Sequence, residues 1–293
     1  MASTKQSSVV FHFEKAHGPT NILHVLRVLQ YVDDGVTDSH AWEQLAREQS
    51  SVDTRYIEAR SLAQKLSLVE GTKEGIRLTH IANVLLSKRD IVQYDLLHAL
   101  FYTAWKSEQP ATFGQSWFYR TFCTLLWSGQ YTTLDADTRV MLAEQLTLEA
   151  RTTFQKIPGF VEEKVSVSRK SLDGAQEWLS SLQPAVLQQE GKHIFAFQPR
   201  QTCSAELFLL ALSQSFQLGG AEPGIDALLS TQKRNEICQY CLLDVLQFDR
   251  MLDWVQSQFP EYVSPGTRSG SYGRFVRLKQ FVSVKDVLQG VAL

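Results

Sequence analysis

Apolar residues recur at helical spacing from the first structured stretch of the chain. In "GPTNILHVLRVLQYVDDG" the apolar positions with this period are Ile22, Val25, Leu26, Leu29 and Val32. Thr20 or Asn21 is placed to cap the start of this helix, and Gly35 follows its end. The spacing therefore predicts an amphipathic helix with one buried face.

Two more helices and a hairpin follow in the first ninety residues. "DSHAWEQLAREQ" has a cap at Asp38 or Ser39, and "DTRYIEARSLAQKLSLV" opens at Asp53. In "SLVEGTKEGIRLT" two short apolar stretches flank Gly71 to Gly75, a pattern typical of a β-hairpin. The predicted order is helix, helix, helix, hairpin.

The same order recurs twice, without repetition of individual residues. Between residues 134 and 200, "DADTRVMLAEQLTLEARTTFQK" predicts a long helix, and a second helix is capped by Ser168 or Ser171. "AVLQQEGKHIFAFQPR" predicts a hairpin with its turn at Glu190–Gly191. From residue 203 onward, three helical patterns precede the glycine-rich hairpin "YVSPGTRSGSYGRFVRLKQFVSV".

The segment between these repeats is apolar around most of its circumference. "YDLLHALFYTAWKSE" and "QSWFYRTFCTLLWSG" are rich in large aromatics, among them these seven: Phe101, Tyr102, Trp105, Trp117, Phe118, Phe122 and Trp127. Helices that are hydrophobic on most sides are buried, which predicts a helical hub. The alternative is an aromatic face that stacks nucleobases.

This element order resembles the winged helix-turn-helix superfamily over residues about 20–87 and 203–285, and more loosely over 134–200. "LVEGTKEGIRLT" resembles the wing of that fold. We therefore expect a mainly α protein with short β-hairpins, built as tandem winged-helix modules around a central helical hub. The expected divisions are an N-terminal winged-helix module (1–89), the aromatic hub (90–133), a second winged-helix-like module (134–201) and a C-terminal module with a basic wing (202–293).

The resemblance implies either DNA binding or protein docking, as in the tandem winged-helix subunits of chromosome-organising complexes. The stretch "SPGTRSGSYGRFVRLKQF" combines glycines, which allow close backbone approach, with arginines, whose forked donors suit phosphate oxygens. The preceding helix is a poor recognition helix, because Asp249 and Asp253 lie beside Arg250. The candidate DNA-binding residues are Arg55, Arg60, Lys65, Lys73, Arg77, Arg268, Gly270, Arg274, Arg277 and Lys279.

Charge and compartment set limits on this hypothesis. The 293 residues carry a formal net charge of −2, so any cationic surface is local and the chain does not coat nucleic acid indiscriminately. The sequence has no apolar run of about 18 residues and no signal-peptide core at its start. The four cysteines fit a reducing compartment, so we expect a cytoplasmic protein with no membrane partner.

Metal and enzyme chemistry have little support in the sequence. Cys238 and Cys241 form a CxxC pair without a second pair or nearby histidines, so we expect buried thiols on one helix face and no metal site. In "PGFVEEKVSV", Glu162-x-Lys164 is similar to the end of a PD-(D/E)xK nuclease motif, which needs a further acidic residue to hold Mg²⁺. No P-loop, GxGxxG, GxSxG or HExxH motif occurs.

We therefore expect a non-enzymatic protein that binds double-stranded DNA and has no catalytic residue, cofactor or small-molecule substrate. The hypothesis extends to a bacterial multi-protein system such as phage defence, a setting that no residue of the sequence encodes. The alternative is a winged-helix adaptor or scaffold subunit that binds protein partners. A Mg²⁺-dependent nuclease is the third hypothesis.

Overall fold

The computed structural model describes residues 21–38, 40–42, 44, 55–73, 75–109, 113–157, 160–162, 165–266 and 274–288, with the backbone alone for 55–57 and 170. Over these ranges the protein is mainly helical with three small antiparallel sheets, as the sequence predicts. The helices are α1 (Ile22–Asp33), α2 (Arg55–Lys65), α3 (His80–Ser87), α4 (Asp90–Thr103), α5 (Gly114–Trp127), α6 (Ala136–Phe154), α7 (Arg169–Ser180), α8 (Ala205–Leu218), α9 (Thr231–Cys241), α10 (Phe248–Gln258) and α11 (Val284–Leu288). The strands are β1 (Val69–Thr72), β2 (Gly75–Leu78), β3 (Thr133–Leu134), β4 (Leu187–Gly191), β5 (Ile194–Phe197), β6 (Asp226–Leu228), β7 (Val263–Pro265) and β8 (Phe275–Leu278).

The start of α1 is fixed by a reciprocal cap. Asn21 Oδ1 accepts a hydrogen bond from the backbone N–H of His24 at 3.1 Å, and His24 Nδ1 accepts from the backbone N–H of Asn21 at 3.3 Å. Two of the helix's unpaired N–H groups are satisfied in this way. All five apolar positions predicted to face inward are buried: Ile22, Val25, Leu26, Leu29 and Val32.

The β1–β2 hairpin also contacts the segment after α1. Val69 pairs with Leu78 at one end, and Thr72 pairs with Gly75 at the other. The Ile76 N–H donates to the Thr37 carbonyl at 2.9 Å, so a third piece of extended chain lies beside β2. Gly75 has a φ of +138°, and a Cβ there would lie 2.3 Å from the Thr37 oxygen, so the close approach requires glycine.

Three units of the chain end in a hairpin that follows helices, and two of them share the full order helix, strand, helix, helix, strand, strand. We define the three as the first unit (21–78), the second unit (114–197) and the third unit (205–278). In the second and third units a short strand after the first helix pairs with the last strand, which gives the sheet orders β3-β5-β4 and β6-β8-β7. The sequence analysis missed β3 and β6, because strands of two or three residues are too short to show alternation.

The turn of the second hairpin differs from its predicted position. β4 continues through Gly191 and β5 begins at Ile194, so the turn is Lys192–His193 rather than Glu190–Gly191. His193 takes the left-handed conformation there, with a φ of +67°. Histidine is among the residues enriched in that region, but it is a weaker turn signal than glycine, which explains the error.

The two aromatic helices lie at the centre of the described structure. α4 packs against α3, α5, α8 and α11, while α5 also contacts α6 and α9. Phe101 stacks on Tyr119 with ring centroids 4.9 Å apart and lies 4.8 Å from the Trp178 ring of α7. Five of the aromatics are buried in this core and present no face to a nucleobase: Phe101, Tyr102, Trp117, Phe118 and Phe122.

A buried histidine links this centre to the third unit. His98 of α4 lies 2.8 Å (Nε2) from the Tyr240 carbonyl and 2.7 Å (Nδ1) from the Tyr119 hydroxyl. A carbonyl oxygen only accepts, so Nε2 carries the proton and Nδ1 accepts from the tyrosine. Burial lowers the pKa of His98 to about 4, and the nearby Arg200 guanidinium acts in the same direction. His98 is therefore a neutral packing residue at pH 7.

Candidate functional site

A concave surface formed by described residues runs along α6. It is a groove of about 770 Å³, bounded by α6, by Val167 and the first turn of α7, and by His193 at the tip of the β4–β5 hairpin. The sequence analysis predicted α6 as a long helix but did not identify this site.

α6 is apolar on two faces. Its inner face packs into the core through Leu142, Leu146, Ala150 and Phe154, all buried. On its outer face the side chains of Val140 and Leu148 are 59% and 60% exposed, and both line the groove. An exposed helix face normally carries polar residues, so apolar side chains at these two positions need another explanation. This second apolar stripe of α6 was the signal in the sequence for the site.

The groove is open rather than enclosed. Small-molecule sites typically bury most of the ligand surface in a cleft or cavity. Val140 and Leu148 keep more than half of their surface in solvent although they form the groove floor, so the walls do not surround a small molecule. An elongated partner that lies along the helix covers such a floor better than a compact ligand does.

The polar groups at the groove are mainly cationic. Arg139 of α6 donates to the carboxylate of Asp173 and, at 2.8 Å, to Gln176 Oε1. Arg151, three turns further along, donates from Nη2 to the Val165 carbonyl at 3.3 Å. The Nε–H of each arginine is buried and has no acceptor among the described residues.

One further arginine extends this positive character. Arg169 is exposed at the first turn of α7, and the His193 side chain is exposed at the hairpin tip. Glu144 is the one acidic residue among the described residues that line the groove. Asp173 neutralises Arg139, so Arg151 and Arg169 against Glu144 leave the groove with a small net positive charge.

The predicted DNA contacts of the first unit are partly engaged within the protein. Arg77 donates from Nε to Glu70 Oε1 at 2.7 Å across the hairpin. Lys65 donates to Gln115 Oε1 at 2.9 Å, and its ammonium lies 5.8 Å from the centre of the Phe113 ring. Arg60 and Lys73 form no ion pair or hydrogen bond within the described ranges. Arg55 begins α2, with only its backbone described.

The cations of the C-terminal hairpin have partners in their own unit. Arg274 binds the carboxylates of Asp249, at 3.1 Å, and Asp253. Arg277 donates to Asp226 at 2.9 Å, and Lys279 Nζ donates to the Pro260 carbonyl at 2.7 Å. The two aspartates that make α10 a poor recognition helix therefore hold Arg274.

Arg268 and Gly270 lie outside the described residues. The cations of the β7–β8 hairpin and those of the β1–β2 hairpin belong to different sheets. No ion pair or hydrogen bond between described residues joins the two groups. Each group contributes separately to any contact with a phosphate backbone.

The cysteines are buried free thiols, and Cys238 and Cys241 lie on α9 as predicted. Burial raises the pKa of Cys238 to about 12 and raises that of Cys241 well above its ordinary value. The helix face that carries these thiols ends with α9 at Cys241, because Leu242 is left-handed and Val245 begins an exposed 3₁₀ turn. Among the described residues, no group of three or more His, Cys, Asp or Glu side chains could hold a metal ion.

The nuclease-like motif falls in an irregular segment. Glu162 is an exposed residue between α6 and α7, while Lys164 and the preceding Pro158–Gly159 lie outside the described residues. No strand described in the structure carries Glu162. The described backbone therefore lacks the α/β core that this motif requires.

The chain matches no protein-family model, no curated protein and no solved structure. None of the helices in the described ranges is long and apolar enough to cross a membrane.

Proposed function

We propose that this protein is a non-enzymatic adaptor that binds a protein partner in the groove along α6. The observation that carries the proposal is the outer face of α6, where Val140 and Leu148 remain exposed on a helix that already packs its other apolar face into the core. Covering these side chains removes apolar surface from water, at about 25 cal/mol per Å². Apolar patches of this kind are typical of protein–protein interfaces.

The three units supply the scaffold of the proposed adaptor. The shared order of the second and third units, in which the last strand pairs with an earlier strand, supports the resemblance to tandem winged-helix proteins. Proteins of that superfamily dock other proteins in larger assemblies as well as binding DNA. In this proposal the second unit contributes the docking groove, and α4, together with α5 of the second unit, packs against the third unit.

The ion pairs of the C-terminal hairpin favour the adaptor over DNA binding. An arginine that already binds two carboxylates must release them before it binds phosphate, and the released carboxylates then repel the backbone. Arg274 is in this position with Asp249 and Asp253, and Arg277 faces Asp226. The near-neutral net charge supports the same choice.

DNA binding remains a second candidate function, favoured by Arg60 and Lys73. Among the described residues neither has an internal partner, and they lie on α2 and in the β1–β2 turn of the first unit. This placement supports phosphate contacts from one helix and one hairpin, the arrangement that the winged-helix resemblance implies. A duplex-binding assay as a function of salt tests it.

A displayed library of random peptides tests the adaptor proposal. Clones selected on the wild-type protein are re-tested on Val140→Asp/Leu148→Asp, which places charge on the groove floor. The matched control is Val245→Asp/Leu246→Asp, at exposed positions outside the groove. We expect selected clones to bind the wild type and the control variant but not the groove variant. A selection that yields no groove-dependent clone contradicts the adaptor proposal.

A further inference from the structure

We infer that the partner presents an acidic amphipathic helix, and that its apolar face lies on Val140 and Leu148 while its carboxylates bind the groove arginines. This inference rests on the proposed function and specifies the chemistry of the partner. The acidic-helix inference follows from the length and shape of the groove, from its positive charge and from the arginine donors at its edges.

The dimensions of the groove fit a helix. Ala136 and Arg151 mark its two ends along α6, and fifteen residues of helix rise about 22 Å. A partner helix of about four turns covers that length. The floor is made of helix side chains rather than strand backbone, so it offers ridges and grooves for helix packing. Strand addition needs a free strand edge along the site, and only His193 of the β4–β5 hairpin reaches the groove.

The charges at the edges favour carboxylates over other groups. A guanidinium has five donors in a planar fork that matches a carboxylate. Arg151 makes one hydrogen bond to the described residues, and Arg169, on the opposite wall, has no partner there. The unpaired Nε–H groups of Arg139 and Arg151 are buried, and a donor left unsatisfied in that way is costly. Those two Nε–H groups have no accessible surface, so a carboxylate on the partner binds instead to the exposed guanidinium of Arg169 and to the partly exposed side chain of Arg151.

The same features argue against two other occupants. A nucleic-acid backbone has no apolar group to cover Val140 and Leu148, which form the floor. A second copy of the groove would bring arginines against arginines, with Glu144 as the one compensating acid among the lining residues. Both occupants are distinguished by the experiment below.

Three fluorescent helical peptides of about 14 residues test the inference. The acidic peptide carries leucines at i, i+3, i+4 and i+7 with flanking glutamates, the basic peptide has lysine at every glutamate, and the polar peptide has serine at every leucine. Binding is measured by fluorescence anisotropy. We expect the acidic peptide to bind at least about tenfold more tightly than the basic one, and the polar peptide not to bind.

Charge reversal at the groove provides the matched protein variants. Arg169→Glu changes an exposed residue with no partner among the described residues, so it should leave the fold intact. We expect this variant to bind the acidic peptide about tenfold more weakly, and Arg151→Glu/Arg169→Glu to prefer the basic peptide. Preference for the basic peptide by both the wild type and the double variant contradicts the inference.

The outcomes separate this inference from the adaptor proposal. If the acidic and basic peptides bind equally and Val140→Asp/Leu148→Asp abolishes the binding of both, the groove binds helices without preference for acidic ones. The acidic-helix inference is then wrong and the adaptor proposal stands. If neither peptide binds while the displayed library yields groove-dependent clones of another composition, the acidic-helix inference is wrong and the adaptor proposal stands. A dimer in sedimentation that Leu148→Asp dissociates assigns the groove to a second copy and overturns the inference.

Discussion

Arg200 and Asp95 form an ion pair at 2.5 Å in which both side chains are completely buried. Arg200 follows β5 of the second unit, and Asp95 lies on α4. The guanidinium also donates to the Cys241 carbonyl at the end of α9, from Nη2 at 2.6 Å and Nε at 3.1 Å. The second carboxylate oxygen of Asp95 accepts from the Ser204 N–H at the start of α8, at 2.6 Å. One pair of charges therefore connects α4 to the start of α8 and to the end of α9.

Asp95→Ala should destabilise the protein by about 3–5 kcal/mol, because it leaves the Arg200 charge buried without a counter-ion. Urea unfolding measures the change in the free energy of unfolding. The matched control is Asp173→Ala, which removes the partner of Arg139 from a partly exposed pair and should cost less than about 1 kcal/mol. Equal losses in the two variants contradict the prediction.

Replacing both partners should recover part of this loss. Asp95→Leu/Arg200→Met removes the charges together, and buried pairs replaced by apolar residues are often neutral or stabilising. We expect the double variant to be more stable than Asp95→Ala. A double variant as unstable as the sum of the single changes would show that the charges do not act as a pair.

His98 should make stability depend on pH in the acid range. Its folded-state pKa is about 4, below the ordinary 6.5, so the unfolded chain takes up a proton that the folded chain refuses. Stability from this group is complete above pH 6.5 and falls as pH is lowered towards 4, by about 3 kcal/mol at most. The titratable and charged groups that face the ring are Tyr102, Tyr119, Tyr240, Arg200 and Asp95. Urea unfolding from pH 4 to 7 should show a weaker dependence in His98→Gln than in the wild type.

The two faces of α6 should respond differently to charge. Leu148→Asp lies on the exposed outer face and should change the free energy of unfolding by less than about 1 kcal/mol. Leu146→Asp places a carboxylate in the core and should prevent stable folding or cost more than about 4 kcal/mol. Circular dichroism and thermal melting compare the two. A large loss from Leu148→Asp would show that this leucine is needed for the fold itself.

The four thiols should be unreactive in the native protein. The thiolate is the reactive form, and burial raises the pKa of Cys123, Cys238 and Cys241. We expect a disulfide reagent to modify them only after unfolding in denaturant.

Elemental analysis tests the predicted absence of a metal site at Cys238 and Cys241. Stoichiometric zinc in the wild type that is lost in Cys238→Ser contradicts this prediction.

If the first unit binds DNA, its cations without internal partners should govern the salt dependence. Each phosphate contact contributes about one unit to the logarithmic salt slope, so Arg60→Ala/Lys73→Ala should lower the slope by about two. Arg274→Ala should leave it unchanged, since Asp249 and Asp253 already hold that side chain. The wild type, Arg60→Ala/Lys73→Ala and Arg274→Ala are compared. If all three bind DNA equally weakly at every salt concentration, DNA binding is ruled out as the function.

Periodic features of the fold could be predicted from the sequence, and contacts between distant segments could not. The α1 face and its Asn21 cap depend on neighbouring residues, and both were predicted correctly. The strand β6 was missed because Asp226–Leu228 is extended only through its pairing with β8. In the same way, nothing near Arg274 in the sequence shows that Asp249 and Asp253 neutralise it. The groove depends on three separate segments, and only the second apolar stripe of α6 was visible locally.

The sheet order of the second unit has a consequence for synthesis of the chain. β3 is synthesised before α6, but its partner β5 is synthesised only after α7 and β4. Thr133 therefore has no pairing partner until Ala196 has been made. Until then the outer face of α6 is uncovered and its inner face packs only on earlier elements such as α5, and the wall of the groove formed by α7 is not yet fixed. A nascent chain at this stage is a substrate for chaperones. We expect a partner that is present during translation to engage α6 before the sheet closes, and co-expression to raise the yield of folded protein.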